Sequence, residues 1–562
     1  MNRPERNQQP DTSAAEYDYI VVGAGSAGCA VAARLAEDPS VSVALLEAGP
    51  HDHHLSVWAP IGLAATVRKH GPRNYAYHSE KQPGLGGRPS FQPRGRGLGG
   101  SSSINGMVYI RGHRSDYDAW AKLGCTGWSY DDVLPYFRRS ECNQRFLDDS
   151  GDPWHGGTGP LHVSDLRTPN PFSRRFVAAA LQAGYRPNDD FNGAEQEGAG
   201  LYQVTQWNGE RWNAARAYLH RGDKRDPSLN GGRPNLAVLT DAQALRLVFK
   251  GKRASGIHVV RAGVEQTLRA RREIVLACGA FNSPQLLMAS GIGPAQHLRS
   301  VGIDVIHDLP GVGENLQDHL DVIVNKQVRS TDLYGYSAGG FLRLMSEIVR
   351  YRRNRTGMVS SNFAEAGAFV KTRHDLAVPD VQLAFVLALL GDRNKTKRSK
   401  LGHGYSCHAY VLRPESRGHV RLRTADMRDA PSIDPRFLSA EADMDALVAG
   451  VKIVRRIYAQ PALADAGGKE MLTDDFGPDG SNEDAIRAFV RSQADSVYHP
   501  VGTCKMGIDT QAVVDPSLRV RGIDGLRVAD ASIMPTLIGG NTNAPAIMIG
   551  EKAADLIRAA NR

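Results

Sequence analysis

The 562-residue chain contains no run of about 18 uncharged apolar residues, which excludes a membrane-spanning helix. Its six cysteines form no Cys-x-x-Cys pair and no Cys/His ligand spacing, so neither a disulfide framework nor a metal site is expected. Residues 1–15 are polar, lack the apolar core of a signal peptide and read as a short disordered lead. No internal repeat is visible. The net charge of +8 comes from 68 basic and 60 acidic residues that are mostly interspersed, and no nucleic-acid-binding signature accompanies it, so nucleic acid is not an expected partner. A cytoplasmic protein is expected, peripheral to the inner face of a membrane if it meets one at all. Two basic clusters stand out. Arg343, Arg350, Arg352, Arg353 and Arg355 lie among Phe341, Leu342, Leu344, Met345, Ile348 and Val349 at helical spacing, so 341–355 fits an amphipathic membrane contact as well as an ordinary packed helix. Lys395, Lys397, Arg398 and Lys400 form the second.

What the chain does have is length and glycine. Its size exceeds that of a single core, so at least two lobes sharing a cleft are expected, and 59 glycines fit an α/β protein rich in tight turns. The apolar run Tyr17–Val22 breaks at Gly23, Gly25 and Gly28, resumes as a helical pattern over Ala27–Ala36, and is followed by a second apolar run, Val41–Leu46, ending at Glu47. This is a βαβ unit with a G-x-G-x-x-G turn. The first two glycines, with Ser26 and Ala27 after them, allow close approach of a pyrophosphate to a helix N-terminus; the third allows close helix packing. Glu47, followed by Ala48, is placed to accept from an adenosine ribose and disfavours a 2′-phosphate. These residues leave FAD and NAD both open.

Runs at Glu273–Ala277 and Leu526–Ala529 read as returns to the same sheet, so the first domain is expected to be discontinuous: residues 16–160, 235–320 and 500–562. A second domain, 161–234 and 321–499, is expected to carry an antiparallel sheet flanked by helices, with His408–Leu412 and His419–Arg423 as adjacent strands across the 413–418 turn. Ala544–Ala560 reads as a helix docking on the first domain. The fold class is α/β, α+β overall, with a Rossmann-like domain.

Three longer segments carry a resemblance. Pro93-Arg-Gly-Arg-Gly-Leu-Gly-Gly-Ser-Ser-Ser-Ile-Asn-Gly-Met-Val-Tyr-Ile-Arg111 and Gly279-Ala-Phe-Asn-Ser-Pro-Gln-Leu-Leu-Met-Ala-Ser-Gly-Ile-Gly293 resemble the two signatures of the glucose-methanol-choline (GMC) oxidoreductases. Tyr498-His-Pro-Val-Gly-Thr-Cys504 and the stretch from Val528 to Met548 resemble its C-terminal segments. The resemblance implies an FAD-binding domain and a substrate domain. It places Arg96, Gly99, Gly100, Asn105, Gly106, Met107 and Val108 along the flavin and its diphosphate, Asp530 and Ala531 at the ribityl chain, Ala244 at the adenine, and Thr542 and Asn543 at the pyrimidine end. Some members carry in this loop a histidine bonded covalently to FAD; Ser102-Ser103-Ile104 stand here instead, so the FAD is expected to be non-covalent.

The resemblance also implies the catalytic pair. Alcohol oxidation needs a hydroxyl proton removed as hydride leaves carbon, and histidine, with a pKa of ~6.5, suits the first task. His499 occupies the family's catalytic position and Asn541 that of its partner, with Asn543 the rival candidate for the partner. An asparagine can bond the substrate oxygen but cannot take its proton, so His499 is expected to be the sole base, with Asn541 also touching the flavin. The segments 201–218 and 142–146 are similar to those of choline-dehydrogenase-like and membrane-associated alcohol dehydrogenases. They imply a primary alcohol oxidised to an aldehyde, with electrons passing to a membrane quinone or another non-oxygen carrier. Choline would require an aromatic box and a carboxylate, for which Glu365 is the candidate. An oxygen-using oxidase, a choline dehydrogenase and an FAD-containing hydroxynitrile lyase are the alternatives.

Overall fold

The computed structural model describes residues 15–67, 70–147, 151–220, 229–390 and 402–561. The first fourteen residues of the expected lead and the 395–400 basic cluster lie outside them.

Strand Glu16–Val22 is buried over its last five residues and apolar on both faces over its last four, as a strand covered on both sides must be. It pairs in parallel with Val43–Leu46 on one side and with the C-terminal half of Val264–Leu276 on the other. Leu236–Leu239 and Leu526–Val528 extend this parallel sheet at its two edges. The same Val264–Leu276 strand, 13 residues long, runs on its N-terminal half into an antiparallel meander with Arg253–Arg261 and Ala242–Lys250. Both expected returns therefore join the sheet.

Gly23 and Gly28 are required by packing. Gly23 has φ +99°, and a Cβ on Gly28 would sit 1.8 Å from the Gly23 carbonyl oxygen. That clearance lets helix Ser26–Leu35 lie on the sheet, where helix Asn543–Ala560 covers it in turn, Gly550 crossing so closely that a Cβ would meet the Ala27 oxygen at 2.4 Å.

The second sheet is antiparallel, in the order Lys469–Met471, Leu320–Val328, Gly402–Val411, Val381–Val386, Ala364–Val370, Gly198–Leu201. Its alternation separates two faces. Tyr405, Cys407, Ala409 and Val411 pack, with Leu383 and Phe385, under helices Pro171–Gln182 and Glu441–Tyr458. Tyr410, Leu412 and Phe369 point the other way and join Ile110 and Tyr202 toward the first domain.

Two expectations need correction. His419–Arg421 pairs with Ser432–Asp434 and not with the 402–411 strand. The intervening turn is pulled out of hairpin geometry, because Arg413 is salt-bridged to Asp116 at 2.7 Å and the amides of Glu415 and Ser416 donate to the Asp443 carboxylate. The 161–234 piece is also divided between the cores. Leu161, Val163, Trp212 and Leu219 belong to the first core, whereas Phe172, Phe176 and Ala199 belong to the second.

Candidate active site

The nucleotide end is built by short backbone contacts. Glu47, almost fully buried, accepts from the amides of Ala24 (3.1 Å), Gly49 (2.9 Å) and Gly97 (2.8 Å), and so clamps the glycine turn to the 93–100 loop. Burial pushes its pKa up. Sequence reading placed Glu47 toward a ribose; the structure adds this clamp. The Gly99 amide donates to the Ala24 oxygen at 2.8 Å, and Ala242, two residues before Ala244, donates to the Glu47 carbonyl at 2.9 Å. The turn, the loop and the expected adenine strand thus meet at one end of the parallel sheet.

Two helix N-termini converge there. Helix Ser26–Leu35 starts after Gly25 and helix Asn543–Ala560 after Thr542; neither start has a capping side chain or an acid in its first turn. Uncapped amides give both ends a positive potential suited to an anionic group. The Ser26 hydroxyl joins them, donating to Asn543 Oδ1 at 2.7 Å. A Cβ on Gly25 would come no nearer than 3.9 Å to the atoms around it, one on Gly106 would meet nothing within 4 Å, and neither residue has positive φ. The chain itself needs no glycine at these two places. Bare backbone there, beside two open helix ends, fits a diphosphate-linked dinucleotide laid against the chain.

Asp530 accepts from the amide of Gly279 (2.8 Å) and from Ser283 through one oxygen and from the amide of Ser532 (2.7 Å) through the other, which ties the loop beside Ala531 to the second signature segment. Asn105 is turned inward: its Oδ1 accepts from the Met107 amide and from Arg211 at 2.7 Å, so its side chain shapes the loop. Met107 holds φ +60°, a strained value for a side-chain-bearing residue, and Val108 bridges to Val204. Arg96 is half-buried, its guanidinium 5.9 Å from the Tyr75 ring. Ser102 and Ser103 donate to the carbonyls of Gly99 and Leu98.

The catalytic end forms where the second sheet meets the 496–500 segment. Its centre is a chain of nitrogen atoms. His319 Nε2 lies 3.0 Å from the Leu412 carbonyl, which can only accept, so Nε2 carries the proton and Nδ1 is a lone pair. That lone pair faces His499 Nδ1 at 2.9 Å, which must donate to it. His499 is left with its lone pair on Nε2, 3.3 Å from Asn541 Nδ2. The Asn541 orientation follows independently. Tyr202 donates to the Leu383 oxygen and accepts from Gln382 Nε2 at 3.0 Å; the same nitrogen lies 3.3 Å from Asn541 Oδ1, which leaves the Asn541 amide group toward His499.

Burial drives both imidazoles toward the neutral form, His319 down to about 3 and His499 well below its ordinary value, with His319 and Arg94 adding to the effect on His499. The His499 backbone amide is held at 2.8 Å by Asp318 Oδ1, and burial raises that carboxyl to about 6. Arg94, from the first signature segment, donates to the Tyr498 carbonyl at 2.8 Å. Tyr498 holds φ +72°, so the residue before His499 is fixed in a strained backbone state by contacts on both sides.

Sequence reading found His499 and Asn541, and the structure brings them together. It missed His319, Asp318, Arg94 and Gln382. The available signal was Gln317-Asp-His319 placed just ahead of the alternating strand Leu320–Val328. Glu365 requires correction: it is buried and bonded to the Asn170 amide (2.7 Å), Ser173 (2.9 Å) and Ser361 (2.6 Å), so it presents no open carboxylate to a cationic substrate. Asp321, two residues along the strand from His319, is paired with His408, and its Oδ1 is buried with no hydrogen-bond partner among the described residues. The fold also gathers Asp52, His53 and His220, residues that sequence spacing did not connect.

Comparison with known proteins accords with this geometry. Residues 17–321 match the N-terminal and 414–550 the C-terminal domain of the GMC oxidoreductases. The chain is similar to an alcohol dehydrogenase [acceptor] of Pseudomonas putida, at 45% identity over 96% of this chain and 95% of the relative. It is similar to human mitochondrial choline dehydrogenase at 43% identity over 97% and 90%. Among solved structures, an Aspergillus oryzae RIB40 formate oxidase studied for FAD modification superposes with a TM-score of 0.87 at 26% identity, covering 98% of this chain and 99% of that one.

Proposed function

The chain belongs to the GMC oxidoreductases, which bind FAD and include alcohol-oxidising enzymes, and on that premise we propose that it oxidises an uncharged primary alcohol to the aldehyde with His499 as general base. The observation that carries the reading is the nitrogen chain from Leu412 through His319 to His499, which leaves His499 Nε2 unprotonated beside Asn541. When bound, FAD supplies the hydride acceptor. His499 Nε2 takes the hydroxyl proton, and the Asn541 amide donates to the substrate oxygen as negative charge grows on it. Gln382 holds that amide in the donating orientation.

An uncharged substrate is favoured over choline because Glu365 is consumed by three hydrogen bonds and presents no open carboxylate. The acceptor in this proposal is a quinone or another non-oxygen carrier; the Pseudomonas putida relative is an alcohol dehydrogenase [acceptor].

The test is anaerobic. Purified yellow protein is mixed with a panel of primary alcohols and choline, the visible band is followed, and air is then admitted. Bleaching by neutral alcohols with slow recovery in air supports the proposal. Bleaching by choline alone would overturn the substrate assignment, and rapid recovery in air would make the protein an oxidase. Retention of the band with every alcohol would point to the lyase chemistry of some relatives.

A further inference from the structure

The helix Ala338–Asn354 carries more apolar surface to solvent than its own fold uses. Its inner side is anchored: Tyr351 is buried, packs with Ala59 and Val359, and donates to the Gly209 oxygen at 3.1 Å, while Glu347 accepts from the Met358 amide at 2.8 Å. Phe341 (63% exposed), Leu342 (70%), Met345 (48%), Ile348 (37%) and Val349 (48%) form the outer side. Their spacing of i, i+1, i+4, i+7 and i+8 places them on one helical face. Tyr336, 74% exposed, stands just before the helix and continues the surface. A contiguous apolar face of this kind marks an interaction site.

Charge identifies the occupant. Arg343 is paired with Asp332 and Arg350 with Glu347, but Arg352 and Arg353, at the end of the same helix, are exposed and have no ion pair among the described residues. Helix geometry sets Arg352 in line with the apolar face at its C-terminal end and Arg353 at the edge of that face. Large apolar side chains bordered by unpaired arginines complement the interface of a bilayer with anionic headgroups, acyl chains meeting the former and phosphates the latter. No helix among the described residues is long and apolar enough to cross a membrane, so the contact is peripheral.

We propose that the 341–353 face docks the protein on an anionic lipid surface. The chain that follows the helix runs to the first signature segment. Beyond the helix the chain turns at Gly357 and reaches Asn362, whose side-chain amide donates to the Gly106 oxygen in the expected flavin loop at 2.8 Å. Docking itself depends only on the surface, not on the acceptor proposed above.

The test is flotation of the full-length flavoprotein with vesicles of phosphatidylcholine alone or with 30% phosphatidylglycerol, at low and high salt. Expected is flotation with the anionic vesicles that weakens as salt rises, and a loss of about tenfold or more in partitioning for both Phe341→Glu/Leu342→Glu and Arg352→Glu/Arg353→Glu. Both variants should keep bound flavin and wild-type turnover with a soluble dye acceptor, a readout that separates failure of docking from failure of the enzymatic reading. Absence of wild-type flotation at low salt, or equal flotation of all variants, overturns the proposal. So does a wild-type dimer in sedimentation that Phe341→Glu/Leu342→Glu converts to monomer, since a second copy then covers the face.

Discussion

His319 and His499, 180 positions apart, face one another Nδ1 to Nδ1 at 2.9 Å, and a carbonyl behind His319 decides which of the two gives the proton. A backbone oxygen thus sets the tautomer of His499 at one remove. His319→Ala is expected to retain FAD while slowing alcohol-dependent flavin reduction by about 10- to 10²-fold, because the Nδ1 proton loses its acceptor and Nε2 is no longer held as the lone pair. Substrate affinity, read from the concentration dependence of reduction, should change little. An unchanged reduction rate would remove His319 from this role.

Replacing His499, the proposed base, is expected to be more severe. His499→Ala is expected to lose about 10²- to 10⁴-fold in the rate of reduction with flavin still bound. Stopped-flow absorbance measures both quantities in one sample. Near-normal reduction in this variant would refute the assignment.

The pH profile follows from the direction of the shift. A histidine whose folded pKa lies well below 6.5 remains a base as the solution is acidified through that value, and loses activity only as pH falls through its lower, folded pKa. The rate of flavin reduction should therefore be flat from about pH 8 to about pH 6.5. An acid limb centred near or above 6.5 would show that His499 is not held neutral.

The glycine turn offers a contrast of two variants. At Gly28 an added Cβ would collide with the Gly23 oxygen at 1.8 Å, so Gly28→Ala should lower the melting temperature of the flavin-free protein. At Gly25 the chain leaves an added Cβ clear out to 3.9 Å, so Gly25→Ala should leave the flavin-free protein as stable as wild type and reduce its FAD content. Melting curves of the two apoproteins, with flavin occupancy after reconstitution, separate packing from ligand approach. Equal occupancy in Gly25→Ala and wild type would count against the cofactor lying over Gly25.

The hydroxyls of Ser102 and Ser103 are engaged by backbone carbonyls, and no imidazole stands in that stretch to attack a flavin methyl. Acid precipitation is expected to leave all yellow colour in the supernatant. Colour remaining in the washed pellet would establish a covalent link.

The parts of the fold legible in the sequence were those written in local pattern. The turn at Gly23–Gly28, the buried strand before it and the returns at 273–277 and 526–529 each announce themselves within a dozen residues, and the motif around His499 is contiguous. His319 and Gln382 gain their roles only because strands distant in the chain align in one antiparallel sheet, and a histidine before a strand is indistinguishable from a core histidine until that alignment is known. The 408–423 hairpin failed for a related reason. Alternation predicts strands, but the partner was chosen by Arg413 reaching Asp116 from another domain. Glu365 looked available because composition does not reveal that three donors surround it.

The parallel sheet closes at one edge with Leu526–Val528, and its first helix is covered by Asn543–Ala560, while the glycine turn both support lies near residue 25. During synthesis, a ribosome must therefore pass most of the message before the earliest motif has its neighbours. A nascent chain stalled before residue 526 displays the glycine turn without the edge strand, without the second helix end and without Asp530. Contacts this distant slow folding and lengthen the interval in which apolar surface is open to misassociation. Flavin capture is thereby a late event in the life of the polypeptide, and premature termination should yield a colourless, chaperone-dependent product instead of a partly active one.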